Sequence, residues 1–572
     1  MQVLEELLKQ IYPKEAGEIV EELKPELVPS KHLDEKNIEW YKNSQIYVTY
    51  AEVFSKENSL AALTQKLDHI KNLGCNAIHI LPFLESPMID AGFDVSDYLK
   101  VRDNLGGNNS FEKLLTSAKE KNTQVLMDIV SNHTSVQHEW FQKAVNGDEK
   151  YRNFYTHTAS KPDFLRKFTN DKGVWAEYVL NGKQVKMRIV FPEQAGPIPH
   201  WEQAKDGYWY FHTFYPHQID LDWHNPQVFK EFSRILIHWN KKGASFRLDA
   251  IPHIGKNVFV GETDTTESTH VLVKSLHQVN KLTAPNSAFL VEAVQPVEIT
   301  KKYFGSSDHI ESELAYNFHL NGALWASIVG KNPQHIWDAL DETKKIPDWA
   351  QWIMFLRNHD QIMLDFIDED TRLVLYEDLT ARGLSFSEGF GVAGRTASFL
   401  DNDEKQVIMA HALLASISGS LAIYYGDEIG QENNHKYMEQ QTLLKKEDPR
   451  NKDVSHDTRD INRGPFQQEK LNSEQGKVIL EGISKILNTR SKIKDFSTTI
   501  PEKIDTPYQH VFAARFSLDG PDLEVYINLS NQEDKISLKN PGETLLALND
   551  SHIQNQVAHL SPHGVVWVES YN

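Results

Sequence analysis

Eight short apolar runs recur along the chain with helical or irregular stretches between them. They are QIYVTY (45–50), AIHILP (77–82), QVLMDIV (124–130), ASFRLDA (244–250), AFLVEA (288–293), HIESELAYN (309–317), QWIMFLRN (351–358) and SLAIYYGD (420–427). Near-continuous apolar runs of this length read as strands buried on both faces, and strands alternating with helices read as parallel. Eight of them predict an α/β chain closed into a (β/α)₈ TIM barrel. The interval after the third run is too long for a simple crossover. Its residues 136–222 are rich in Trp, Tyr, Phe, Pro and His, and are predicted to form an inserted subdomain that walls the site.

The ends follow other patterns. Residues 1–40 alternate charge with helical apolar spacing and read as a short N-terminal helical extension, which leaves 41–135 and 223–498 to the barrel. After an amphipathic segment near GKVILEGISKILNTRSKI come VFAARFSL, LEVYINLS, TLLALND and GVVWVES, with turn residues between them. That spacing predicts a C-terminal antiparallel β-domain over 499–572.

Charge and cysteine usage narrow the function classes. The 572 residues carry 60 basic and 80 acidic side chains, a net −20, with no prominent Lys/Arg run. This disfavours nucleic acid and anionic membrane surfaces, both of which draw on clustered cations. Cys75 is the one cysteine, so an intramolecular disulfide and thiolate metal clusters are excluded, and the thiol reads as a buried, inert core residue. The N-terminus has no secretory apolar core and no run approaches the roughly 20 residues of a membrane span, so a cytoplasmic enzyme is expected.

Four of the apolar runs deliver polar groups at their C-terminal ends, where a parallel barrel places its chemistry. They are LMDIVSNHT with Asp128 and His133, ASFRLDA with Arg247 and Asp249, FLVEA with Glu292, and FLRNHD with His359 and Asp360. Their order and composition resemble the regions that mark the α-amylase family of glycoside hydrolases, over roughly residues 40–500. Taken singly, a carboxylate at a strand end is more often a cap or an ion-pair partner. Four such ends in order reverse those odds.

Cleaving a glycosidic bond with retention needs one carboxylate to attack the anomeric carbon and a carboxylic acid about 5 Å away to protonate the leaving oxygen. Asp249 and Glu292 end adjacent predicted strands, so that separation is natural. The resemblance implies that Asp249 is the nucleophile, Glu292 the general acid/base, and Asp360 a third carboxylate that positions sugar hydroxyls. It implies that Asp128 holds the site's architecture through the neighbouring Arg, and that His133 and His359 donate to sugar hydroxyls. Arg247, two residues before Asp249 on the same side of its strand, can hold that carboxylate ionised and oriented. Mutual repulsion among three carboxylates helps keep Glu292 protonated.

The loop ESPMIDAGFDVSDY resembles family members that take one terminal glucosyl unit. Asp90 would then pair with an Arg from the last loops and Phe93 would stack on the sugar. The expected partner is Arg463 in DTRDINRGPF, with Arg459 as runner-up; the bland alternative is a surface ion pair of little worth. The strand-one loop FSKENSLAAL lacks an alternating Asp/Asn series for Ca²⁺, so neither metal nor cofactor is expected. RLDAIP, LRNHD and IYYGDEIGQENN resemble trehalose synthases and α-glucosidases, whereas HILPF, HQIDLDWHNP and RDINR resemble sucrose phosphorylases and amylosucrases.

The reading is a retaining, exo-acting hydrolase of short α-glucosides with transfer capability, binding a small-molecule α-glucoside. Oligomeric state is left open. Alternatives are a transglucosylase, isomerase or phosphorylase using the same glucosyl-enzyme, and a catalytically dead sugar-binding protein. The last is expected to have lost a catalytic carboxylate, and none is missing.

Overall fold

The computed structural model describes residues 1–29, 39–55, 57–170, 172–193, 195–447, 457–540 and 542–570. At its centre lies a closed parallel barrel, β1 Gln45–Thr49, β2 Ala77–Ile80, β3 Gln124–Val130, β4 Ser245–Asp249, β5 Phe289–Val291, β6 Leu314–Tyr316, β7 Gln351–Phe355 and β8 Ser420–Tyr424, with β8 pairing back to β1. The strands are buried almost throughout, as their apolar composition requires.

Seven of the eight strands are shorter than the runs that announced them. The sixth run departs furthest: only Leu314–Tyr316 joins the barrel, while His309–Ile310 pairs with Gly305–Ser306 in a separate hairpin. The intervening carboxylates explain the break. Glu311 is bound by His270 and lies 3.5 Å from Lys274, and Glu313 is bound by His277 and Lys281, all from the helix Glu267–Thr283. Glu313 also accepts from the Phe289 N–H, which ties the start of β5 to this acidic pair.

Between β3 and the helix Pro226–Asn240 that precedes β4, the described residues form two helices and several short antiparallel strands, including the sheet Asp163–Asn170, Gly173–Leu180 and Lys183–Arg188. This insertion has its own apolar cluster around Tyr178, Met187 and Trp201. His133–Ser135 pairs with Gln218–Asp220, so the insertion's last strand returns beside the end of β3.

Both ends of the chain share the main core. The helices α1 (Gln2–Leu8) and α2 (Ala16–Leu23) bury Leu4, Leu8, Ile19 and Leu23. They lie against the helices Glu267–Thr283 and Pro226–Asn240, with Glu22 bound to Lys230 at 2.9 Å and Glu26 to Arg234 at 3.1 Å. At the other end, strands from Glu502 to Ser570 form a five-stranded antiparallel sheet and a three-stranded one among the described residues. Phe512 of the larger sheet stacks on Trp337 with centroids 5.1 Å apart, and Phe496 packs on Phe516 and Trp567.

Candidate active site

Register decides which charges meet at the C-terminal mouth of the barrel. Arg247 of β4 lies opposite Asp128 of β3, and Leu248 lies opposite Val291 of β5. Asp249 ends β4 and Glu292 follows β5, its N–H extending the ladder to the Leu248 carbonyl at 3.1 Å. One guanidinium therefore touches three carboxylates. Arg247 Nη1 lies 2.5 Å from both Asp128 Oδ1 and Asp249 Oδ1, and Nη2 binds Glu292 Oε1. Asp128 is held from its other side by His79 at 2.8 Å.

Immediately after Asp249 the chain turns sharply. Ala250 adopts a left-handed φ of 47°, unfavourable for an L-residue and of the kind that concentrates at functional sites. The turn aims its N–H at Glu292 Oε2, 3.3 Å away.

Asp360, on the loop after β7, completes the group. Its Oδ1 receives Arg459 at 2.9 Å and Arg463 at 3.1 Å, and its Oδ2 lies 3.2 Å from His359 Nε2. Burial would raise the Asp360 carboxyl, but His359 and the two arginines outweigh it and hold the group well below the usual range. Glu292 goes the other way: burial lifts it, Arg247 opposes, and the Asp360 charge adds to the rise. Burial likewise raises Asp249, well above the ordinary carboxylate range, with Glu292 and Asp128 adding to the rise, so Arg247 opposes this shift without holding the carboxyl low as expected from sequence. Asp249 and Glu292 titrate as a pair, and with both pushed upward the pair holds on to a proton more strongly than free carboxyls do.

A second group of ions lines the cavity. Asp90 Oδ1 meets Arg459 Nη2 at 3.2 Å, and Asp90 Oδ2 accepts from Gln218 at 2.9 Å. The order expected from sequence is reversed: Arg459 bonds Asp90, whereas Arg463 stands 3.9 Å away and instead donates to the His359 carbonyl at 2.9 Å. Packing explains the choice. The Arg459 guanidinium packs against both Phe191 and Phe386, 4.9 and 4.8 Å from their centroids, and is gripped at Nε and Nη2 by Asp457. Asp90 and Phe93 enter the cavity on a loop turned by Gly92, at φ +97°, where a Cβ would come within 2.7 Å of the Pro82 carbonyl oxygen.

Asp90, Phe93, His133, Asp249, Glu292, His359, Asp360 and Arg459 line one inner chamber of about 60 Å³. Phe93 stacks on His359 at 5.0 Å and 13°, so one ring face expected to meet sugar is covered by imidazole. The His133 Nε2 sits 3.2 Å from the Phe93 carbonyl oxygen, and burial holds His133 down to about 4 and His359 down to about 3. Both are therefore neutral at pH 7. An outer chamber of about 160 Å³ adjoins, sharing Phe191, Phe214, Ala250, Glu292, Asp360 and Arg459, and extending to Arg188, Asp264, Gln295, Met363 and Asp365.

Sequence reasoning missed the supports of this site. Gln218 and Tyr215, which fix Asp90 and Asp457, belong to the insertion. Lys256 is fully buried and joins Asn132 Oδ1 at 2.6 Å, Asp220 Oδ2 at 2.9 Å and the His253 carbonyl at 2.7 Å. Its ammonium ties together the loops after β3 and β4 and the returning strand of the insertion. The signal was a Lys soon after an active-site strand and an Asp inside the apolar QIDLDW. Among the described residues no cluster of His, Cys, Asp or Glu is arranged to hold a metal, and no helix is long and apolar enough to cross a membrane.

Comparison with known proteins agrees with the barrel fold. The α-amylase catalytic-domain family matches residues 40–378 and 393–479. A trehalose synthase/amylase of Mycolicibacterium smegmatis is 32% identical over 401 residues, 68% of this chain and 64% of that protein. A trehalose synthase of Thermus thermophilus is 30% identical over 401 residues, 69% of this chain and 39% of that protein, so this chain spans less than two thirds of either relative. In fold it is similar to a crystallised inactive double mutant of MutB in complex with isomaltulose, with a TM-score of 0.72 at 20% identity over 93% of this chain and 99% of that one. With the family match running over well more than half its length and through every barrel strand, the chain belongs to the α-amylase family.

Proposed function

We propose that the protein is a retaining enzyme that removes one terminal α-glucosyl unit from short α-glucosides, hydrolysing it or passing it to an acceptor. The observation that carries this reading is Arg247 holding Asp249 and Glu292 on its two Nη atoms, in a chamber lined by the pair Asp90 and Arg459. Two carboxylates bound by one guanidinium are close neighbours, which the retaining mechanism, with its separation of about 5–5.5 Å, requires. Asp249 attacks the anomeric carbon while Glu292, kept protonated by burial and by the Asp360 charge, gives its proton to the leaving oxygen. The resulting glucosyl ester is released by water or a sugar hydroxyl that Glu292 deprotonates. Asp360, held ionised by His359, Arg459 and Arg463, stabilises the oxocarbenium-like charge between these steps.

The test is the early product pattern from maltoheptaose. Glucose alone supports terminal attack in a blind pocket. An early ladder of mixed oligosaccharides refutes it.

A second reading is an isomerase or other transglucosylase, favoured by the two trehalose synthase relatives at 32% and 30% identity. It uses the same glucosyl-enzyme but returns the glucosyl unit to a different hydroxyl of the departing sugar. Proton NMR of the products from maltose, sucrose, trehalose and isomaltose, with and without phosphate, separates free glucose, a new disaccharide and a glucosyl phosphate.

A further inference from the structure

The outer chamber carries an ion pair that the chemistry above does not use. Arg188, the last residue of the insertion's strand Lys183–Arg188, reaches Asp365 on the loop after β7, with Nη2 and Oδ1 2.5 Å apart. The two are 177 positions apart in the chain, and both line the outer chamber while neither lines the inner one. They therefore bridge the insertion and the barrel loop at a distance from the reacting carboxylates.

Each partner is held from behind. The Arg188 carbonyl accepts from His200 Nε2 at 3.0 Å, and His200 stacks on Phe211, another residue of the chamber wall. The adjacent Gly173 leaves room for the guanidinium, which a Cβ there would approach to 3.0 Å. Asp365 follows a strand at Ile362–Met363 that is paired with Gly391–Ala393. On the same side of the chamber, Phe191 of the insertion packs against Phe386 of the β7 side at 5.4 Å, so the two walls already meet through an apolar contact.

Resting on the functional reading above, we infer that Arg188 and Asp365 set the length of substrate by bounding the site around the second sugar ring. A glucosyl unit in the inner chamber directs its aglycone into the outer one, and the ring that follows would have to pass between the two charged side chains. A guanidinium and a carboxylate at that edge also offer several donors and acceptors to the hydroxyls of a second ring, which an apolar rim would not. The Arg188 side chain is 42% exposed, and an ion pair so open to solvent is weak enough to part for substrate exchange. The preferred substrate class is thus a disaccharide rather than a chain.

The experiment compares kcat/KM for maltose and maltotetraose in the full-length wild type, in Arg188→Ala, in Asp365→Ala, and in the charge-swapped double variant Arg188→Asp/Asp365→Arg. Expected is a rise of tenfold or more in the maltotetraose-to-maltose ratio in each single variant, with the swap returning the ratio to within about threefold of wild type. A ratio that stays within twofold of wild type in both single variants overturns the inference. So does a swap that behaves like the single variants, since an unspecific loss of packing would not be repaired by reversing the charges. Wild type that acts on neither sugar overturns the functional reading together with this inference. Wild type that acts on maltose while the variants keep its ratio overturns this inference alone.

Discussion

Asp90 and Arg459 meet at 3.2 Å in the wall of the inner chamber, although 369 positions separate them in the chain. Both are buried, so this is a desolvated pair whose loss leaves an unpaired charge as well as an opened wall. Asp90→Ala is expected to lower kcat/KM on disaccharides tenfold or more, roughly 1.4 kcal/mol of transition-state binding, while improving relative activity on longer chains. Arg459→Ala is expected to do more damage to disaccharide turnover than Arg463→Ala, because Arg459 alone of the two bonds both Asp90 and Asp457. Kinetics on maltose and maltoheptaose check both orderings.

The two carboxylates on Arg247 serve different chemical steps, so their variants separate. Asp249→Asn is expected to abolish turnover with the fold intact. Glu292→Gln is expected to keep part of its activity on aryl glucosides with good leaving groups, and azide to raise turnover by attacking the intermediate without base help. Circular dichroism and aryl glucoside kinetics are the measurements. More than a trace of activity in Asp249→Asn refutes the assignment.

The alkaline limb of the kcat/KM profile reports the loss of the proton that Asp249 and Glu292 hold between them in the free enzyme, carried in the reactive form by Glu292. Burial and the Asp360 charge raise that group, so activity is expected to persist well above the ordinary carboxylate range and to fall as pH rises through the folded-state pKa. Asp360→Asn removes one source of the rise, and the limb in its residual activity is expected to move to lower pH. A limb that stays in place or moves upward contradicts the electrostatic account.

Five histidines are buried in neutral form: burial holds His133 and His212 down to about 4 and His138, His200 and His359 down to about 3. Between those values and the unfolded value near 6.5, the unfolded chain binds more protons, so stability falls as pH falls through that window. Asp94, raised by burial to about 6, and Glu202, Asp249, Glu292, Glu311 and Asp460, also raised by burial, act in the opposite sense, but among the described residues the lowered histidines, which further include His238, His253, His319 and His563, outnumber them. Urea midpoints are expected to drop between pH 7 and pH 5, and a flat or rising midpoint would refute this.

Lys256→Met removes the ammonium placed on Asp220 and Asn132 and leaves the buried Asp220 carboxylate only its hydrogen bonds from Thr213, without the cation that balances its charge. The expected cost is about 3–5 kcal/mol of unfolding free energy, the range for breaking a buried ion pair. Because Asn132 adjoins His133, turnover is expected to fall as well. Urea unfolding of the variant measures the first effect, and maltose kinetics the second.

Local pattern sufficed for much of this molecule. An apolar run ended by a charge marks a buried parallel strand and the direction it points, so β3, β4, β5 and β7 and the residues Asp128, Asp249, Glu292 and Asp360 could be placed from the chain alone. Arg247 followed as well, since alternate residues of a strand share a face. Tertiary structure decided whatever depends on partners distant in sequence. The break in the sixth run turns on Glu311 and Glu313 being claimed by a helix, which no window around those residues reveals. Arg459 and Arg463 stand one turn apart, 459 within the 3₁₀ segment Thr458–Asn462 and 463 just after it, and both reach the site. Only the contact with Phe191 and Phe386, brought together from the insertion and the loops after β7, aims one of them at Asp90. Periodicity reports which face of an element is buried; closing the barrel determines which charges then share that interior.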